Sequence, residues 1–175
     1  MTYERFEDLP VWQTAAELYE LTEELLENES FHVSRGFRDQ LDRAALSVSN
    51  NIAEGFERGT TNELLAFLYI ARGSAGETRS MLCLKERRAK KYGWPADLKS
   101  QISNVKSAAE SCSRQLHGWA DSLQNSEIKG QRHLTEKSRR EDEQRKRAEA
   151  AQKELLRRLP PGHPLRKQAE ERGTI

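Results

Sequence analysis

Gln40–Glu77, QLDRAALSVSNNIAEGFERGTTNELLAFLYIARGSAGE, reads as two amphipathic helices joined by a tight turn. Phe37, Leu41, Ala44, Val48 and Ile52 recur at helical spacing along the first. Leu64, Leu68, Ala71, Ala75, Thr78 and Leu82 do the same along the second. Steps of four and three keep apolar side chains on one face of a helix. Gly59 is placed to take the left-handed conformation that closes the first helix. Thr60, followed three residues later by Glu63, is a capping-box pattern that opens the second. With the turn centred near Gly59, Glu54 stands opposite Leu65, and Arg72 stands opposite Ser47.

Working outward, Asp8-Leu9-Pro10 suits a first helical turn, with the acid as cap and the proline just inside. Val11, Ala15, Leu18, Thr22 and Leu25 then mark one face, widened by Trp12, Ala16 and Tyr19. On the other side, Tyr92-Gly93-Trp94-Pro95 stops the long second helix of the pair. Leu98, Ile102, Val105, Ala109, Cys112, Leu116, Trp119 and Leu123 alternate steps of four and three, a seam of the kind four-helix bundles use. The fold class predicted is all-α: an antiparallel up-down-up-down four-helix bundle over residues 1–126. Residues 127–175 form a charged C-terminal extension, helical to about residue 159 and loose beyond it. Pairs such as Glu154/Arg158 at i,i+4 support that solvated helix. Pro160-Pro161-Gly162-His163-Pro164 ends it.

The 175 residues carry a net charge of +1 that is unevenly placed. Residues 1–126 sum to −4 and residues 127–175 to +5. A basic extension on a slightly acidic body permits contact with polyanions. No apolar run approaches the roughly 20 residues that span a bilayer, so no membrane partner is expected. The acidic start, MTYERFEDLP, lacks the layout of a secretory signal. Cys83 and Cys112 are too few for a disulfide framework. Together these predict a cytoplasmic protein.

Catalytic and metal chemistry find no foothold. His32, His117, His133 and His163 are scattered, and no glycine-rich phosphate loop, nucleophile elbow or cysteine pair is present. The reading is therefore non-enzymatic, with no catalytic residue, metal or cofactor. Polar residues near the core stripes are more informative. Asn51, Glu54 and Gly55 are read onto the side of Phe37, Leu41, Ala44 and Val48, where a carboxylate must find donors. Those donors are backbone N–H groups opening the next helix, Arg58 at i+4, or a neighbouring subunit. Asn51, Glu54, Gly55 and Gly73 are thus candidates for a structural polar network, with a direct ligand role as the alternative. Gly73 and Gly76 suggest close approach by another helix or chain, because mid-helix glycine costs about 1 kcal/mol against alanine.

A second set of residues is cationic. Arg72, Arg79, Arg87 and Lys90 share a narrow sector beside the core stripe, and Lys85, Arg88 and Lys91 add charge to the last turns. Arg139, Arg140, Arg145, Lys146 and Arg147 continue it in the extension. Nucleic-acid affinity rests largely on Lys and Arg neutralising phosphates. A solvated edge whose cations suit a helix C-terminus is the competing reading.

DLPVWQTAAELY (Asp8 to Tyr19), QLDRAALSVSNNIAEG (Gln40 to Gly55) and FLYIARGSAGE (Phe67 to Glu77) resemble a bacterial four-helix-bundle family. Its members are encoded by intervening sequences within 23S rRNA genes and are related to accessory variability proteins of diversity-generating retroelements. The resemblance covers about residues 5 to 124. It implies a bundle that assembles into a ring, typically a homopentamer. In the retroelement branch it also implies binding of nucleic acid and of a reverse transcriptase through a basic surface. The family's Asn-Ile-Ala-Glu-Gly motif falls on Asn51 to Gly55, and its Ala-Arg-Gly-Ser motif on Ala71 to Ser74. Asp42 stands where a basic residue is frequent, and Ser49 where proline is. The resulting expectation is a ring-forming accessory protein that binds nucleic acid, RNA first, with a reverse transcriptase as a further partner. The alternative is an oligomeric protein-interaction scaffold, for which Phe56 and Tyr69 would serve as contacts.

Overall fold

The computed structural model describes residues 3–125 and 136–173, with the side chains of all of these except 89–92, 136–139 and 141–142. A 3-10 turn at Phe6–Asp8 precedes α1 (Pro10–Glu27), α2 (Arg35–Glu57), α3 (Thr61–Tyr92) and α4 (Ala96–Gln124). Then come α5 (Glu136–Arg158) and α6 (Pro164–Glu171). Among the described residues there is no strand, and no helix is long and apolar enough to cross a membrane. The chain divides into two compact units, Met1–Arg132 and His133–Ile175.

In the first unit α1 packs on α2 and α4, α2 on α3, and α3 on α4, so each of the four helices buries its stripe against two neighbours. Val11, Ala15, Leu18 and Leu25 of α1 are buried, as are Leu41, Ala44, Val48 and Ile52 of α2. All six stripe residues of α3 are buried, Thr78 included. In α4 the seam from Leu98 to Leu116 is buried, but beyond it Ala120 takes the inner position while Trp119 and Leu123 lie at the margin. A straight helix has 3.6 residues per turn, so a seam of period 3.5 drifts off the face as it lengthens. Thr22 is buried without penalty because its hydroxyl donates to the Leu18 carbonyl at 2.7 Å.

The connections differ from the sequence reading in three places. Asp8 sits inside the 3-10 turn, and Leu9 caps α1 with no side-chain bond, so Pro10 alone makes the start. Gly59 does not adopt positive φ; α2 closes instead at Arg58, whose N–H donates to the Gly55 carbonyl at 3.3 Å. Thr60 caps α3 as expected, its hydroxyl oxygen accepting from the Glu63 N–H at 3.2 Å, while the Glu63 carboxylate accepts from that hydroxyl at 2.7 Å. At the far end Gly93 takes φ +76°, turning the chain out of α3.

The third difference lies in the second unit, where Pro164–Glu171 forms a further helix. Pro164 starts α6, and His163 Nδ1 accepts from the Leu165 N–H at 3.3 Å as its cap. Arg166 donates to the carbonyls of Arg157 and Leu159 at 3.3 and 2.9 Å, tying α6 back to the end of α5. The Glu154–Arg158 pair closes at 2.5 Å along α5.

Candidate nucleic-acid interface

The outer edge between α2 and α3 is held by short polar contacts. Gln40 donates to Glu77 at 2.6 Å, and Ser74 donates to Ser47 across the two helices at 3.1 Å. Asn51 Nδ2 donates to the Ser47 hydroxyl at 2.8 Å and to the Ser47 carbonyl at 2.6 Å. The polar network is therefore Asn51–Ser47–Ser74, with both serines supplied by positions the stripes do not mark.

Glu54 stands apart from it. Its side chain is 52% exposed and pairs with Arg58 at 2.5 Å, one of the three donors the sequence allowed. The placement of Glu54 on the core face is corrected by simple geometry. At about 100° per residue, Glu54 stands about 140° from Leu41, whereas Gly55 stands about 40° away. Arg58 also lies over the Phe67 ring, 5.1 Å from its centroid, and 4.0 Å from Glu63.

Gly55 is buried where α2 and α3 pack tightly. A Cβ there would lie 2.7 Å from Phe67 Cβ and 3.2 Å from Leu64 Cδ1. Gly73 and Gly76 are different. Both are exposed, and a Cβ on either meets nothing within 4 Å, so among the described residues of the first unit no neighbouring helix packs on them. Phe56, read as an outward aromatic, is in the core at 7% exposure, whereas Tyr69 is exposed and its hydroxyl accepts from Gln124 at 2.6 Å.

The cations of α3 do not form one uniform stripe. Arg72 donates to His117 Nδ1 of α4 at 3.4 Å, and His117 Nε2 faces Asp121 at 3.3 Å. Arg79 pairs with Glu110 at 3.6 Å, which also holds Arg114 at 3.3 Å. Lys85 places its ammonium 4.2 Å above the Phe37 ring, and burial, then the charge of Arg88, hold it below the usual lysine range. Arg87 and Arg88 are exposed and make no ion pair among the described residues. The side chains of Lys90, Lys91 and Arg139 lie outside the described residues. On α5, Arg140, Arg145, Lys146 and Arg147 are exposed, and Arg145 lies 3.9 Å from Glu149. The partners that divide the α3 cations, His117, Glu110 and Phe37, come from other helices, and no spacing within α3 points to them.

Asp42, the departure from the usual basic position, accepts from the Tyr19 hydroxyl at 3.2 Å and so links α2 to α1. Burial, then the charges of Asp42 and Glu23, push the Tyr19 phenol up to about 12. Among the described residues no three His, Cys, Asp or Glu side chains gather as a metal ion would require.

The model of the 23S rRNA-intervening sequence protein family matches residues 7–118, well over half of the chain. The chain belongs to that family. The match takes in both motif segments, Asn51 to Gly55 and Ala71 to Ser74, and ends before α5 and α6 begin. Comparison with curated proteins gives no match. In this family member the two motifs are linked through Ser47, whose hydroxyl accepts from both Asn51 and Ser74.

Proposed function

We propose that this chain is a non-enzymatic accessory protein of the cytoplasm that binds nucleic acid, RNA first, through backbone phosphates. In this reading residues 1–126 form an antiparallel up-down-up-down four-helix bundle. The order of packing, α1–α2–α3–α4 and back to α1, supports it, as do the paired contacts Gln40–Glu77 and Ser47–Ser74. Copies of the bundle assemble into a homo-oligomeric ring, a pentamer by family resemblance, beside the reverse transcriptase of a diversity-generating retroelement.

The observation that carries the binding reading is the exposed Arg87–Arg88 pair on the last turns of α3, with no carboxylate partner among the described residues. A cation already held by a carboxylate must break that contact to meet a phosphate, whereas these two need not. The exposed cations of α5 are a separate source of positive charge. Contacts of this kind position a polyanion without reading its bases. The test is binding of the purified chain to structured RNA at low salt. Retention that weakens as salt rises supports the reading, and no retention at low salt removes it.

The scaffold alternative draws on Tyr69, Ile70 and Leu84, exposed apolar side chains of α3. Recovery of a defined protein partner after nuclease treatment, together with absent RNA binding, would favour it.

A further inference from the structure

One end of the four-helix unit carries a cleft of about 290 Å³ lined by Ser30, Phe31, His32, Gly93, Trp94 and Pro95. Two connections build it, one from α1 to α2 and one from α3 to α4. The first is pinned by Asn28. Its carbonyl accepts from the Phe31 N–H at 2.9 Å, and its side-chain oxygen accepts from the Ser30 N–H at 2.8 Å. Its side-chain nitrogen donates to Gln101 of α4 at 2.6 Å. Those bonds bury Phe31 and leave His32 exposed beside it. The second connection turns at Gly93, after which Trp94 packs its partly buried ring against the core.

From the cleft wall a relay of contacts leads to the cationic end of α3. Phe31 meets Phe37 edge-on, with ring centroids 6.4 Å apart, and Phe37 carries the Lys85 ammonium on its face. Arg88, exposed and without an ion pair among the described residues, stands one turn further along α3, close enough to act on Lys85. Flat aromatic groups followed at once by cations are the two components of a single-strand site, where bases stack and phosphates are neutralised. A duplex offers no free base face to such a cleft, since its bases are already stacked on one another. The volume lies at the small end of the roughly 300–1,000 Å³ of ligand pockets, which suits one ring system.

We propose that this cleft takes one unpaired base of single-stranded RNA, stacked against Trp94 and His32, with the adjoining phosphate on Arg88. The inference rests on the phosphate-binding reading above and adds a preference for single strands that charge alone does not give.

The test uses the full chain and a single-stranded RNA oligonucleotide carrying 2-aminopurine, with a duplex of the same sequence as comparison, at one fixed low salt concentration. Stacking should quench the 2-aminopurine fluorescence on binding. Trp94→Ala should weaken single-strand binding by about tenfold, with Trp94→Phe retaining most of it and duplex binding unchanged. His32→Ala, on an exposed side chain with no part in the core, should weaken the single strand alone and decides the matter if Trp94→Ala fails to fold. Equal losses on single strand and duplex, or single-strand binding indifferent to both positions, overturn the cleft and leave the phosphate reading standing. A wild-type chain that binds neither RNA overturns both.

Discussion

A Cβ placed on Gly55 would stand 2.7 Å from the Cβ of Phe67, a separation that only glycine allows. The obstructing atom is fixed to the α3 backbone, so no rotamer change relieves it, and α2 and α3 would have to part. Gly55→Ala is therefore expected to destabilise the chain by about 1–3 kcal/mol, the usual cost of overpacking. Gly73→Ala should do the opposite. Its Cβ enters open space, so the gain in helix propensity should stabilise by about 0.5–1 kcal/mol. Urea midpoints of the two variants check both signs. A fall at Gly73 would mean that another chain packs there.

Glu54→Ala should leave the thermal midpoint close to that of wild type. Its carboxylate is half exposed and bonded to Arg58, the residue that closes the same helix, and such surface pairs contribute little. A large loss of stability, measured by thermal denaturation, would return Glu54 to the interior.

What the sequence made legible, and what it did not, follows from the range of each interaction. The stripe of α3 gave its buried face almost completely, because burial of Leu64 or Leu82 follows helical period. The stripe of α2 found Leu41, Ala44, Val48 and Ile52 but missed Ala45, Ser49 and Phe56 beside them. Opposing Ser47 to Arg72 came within two residues of the observed Ser47–Ser74 contact, because a tight turn fixes register. Glu54 was misplaced by an error of phase rather than of principle. Gly59 was over-read, since a helix can also stop with an extended residue, as Arg58 does here. Of the cationic site, the composition was visible but not its partition. Whether Arg72 meets His117, or Lys85 meets Phe37, depends on which helices are neighbours and on their rotation.

Alkaline pH should weaken the fold. The Tyr19 phenol is raised from 10 to about 12, and burial pushes the Cys112 thiol from 9 up to about 12. In the unfolded chain both groups lose their protons earlier, so the folded state holds more protons across this range. Stability then falls as pH rises. The contribution is intact below pH 9 and is lost through about pH 12. Tyr19→Phe should flatten the part of the decline above pH 10. In alkylation at neutral pH, half-buried Cys83 should react first, and Cys112, buried and held protonated, only on unfolding. Simultaneous reaction of both in the native chain would contradict this placement.

On α3 the proposed phosphate contacts are Arg87 and Arg88, whereas Arg72 and Arg79 meet His117 and Glu110 of α4. The most direct test is the slope of log affinity against log salt for duplex RNA, comparing the Arg87→Ala/Arg88→Ala chain with wild type and with Arg72→Ala/Arg79→Ala. Each lost phosphate contact removes about 0.9 unit of slope on B-form duplexes and about 0.7 on single strands. The first double variant should therefore flatten the slope by roughly two units, with the remainder carried by the cations of α5. The second should leave the slope near that of wild type. Binding without salt dependence, or a slope that flattens with Arg72 and Arg79 and not with Arg87 and Arg88, would contradict the account.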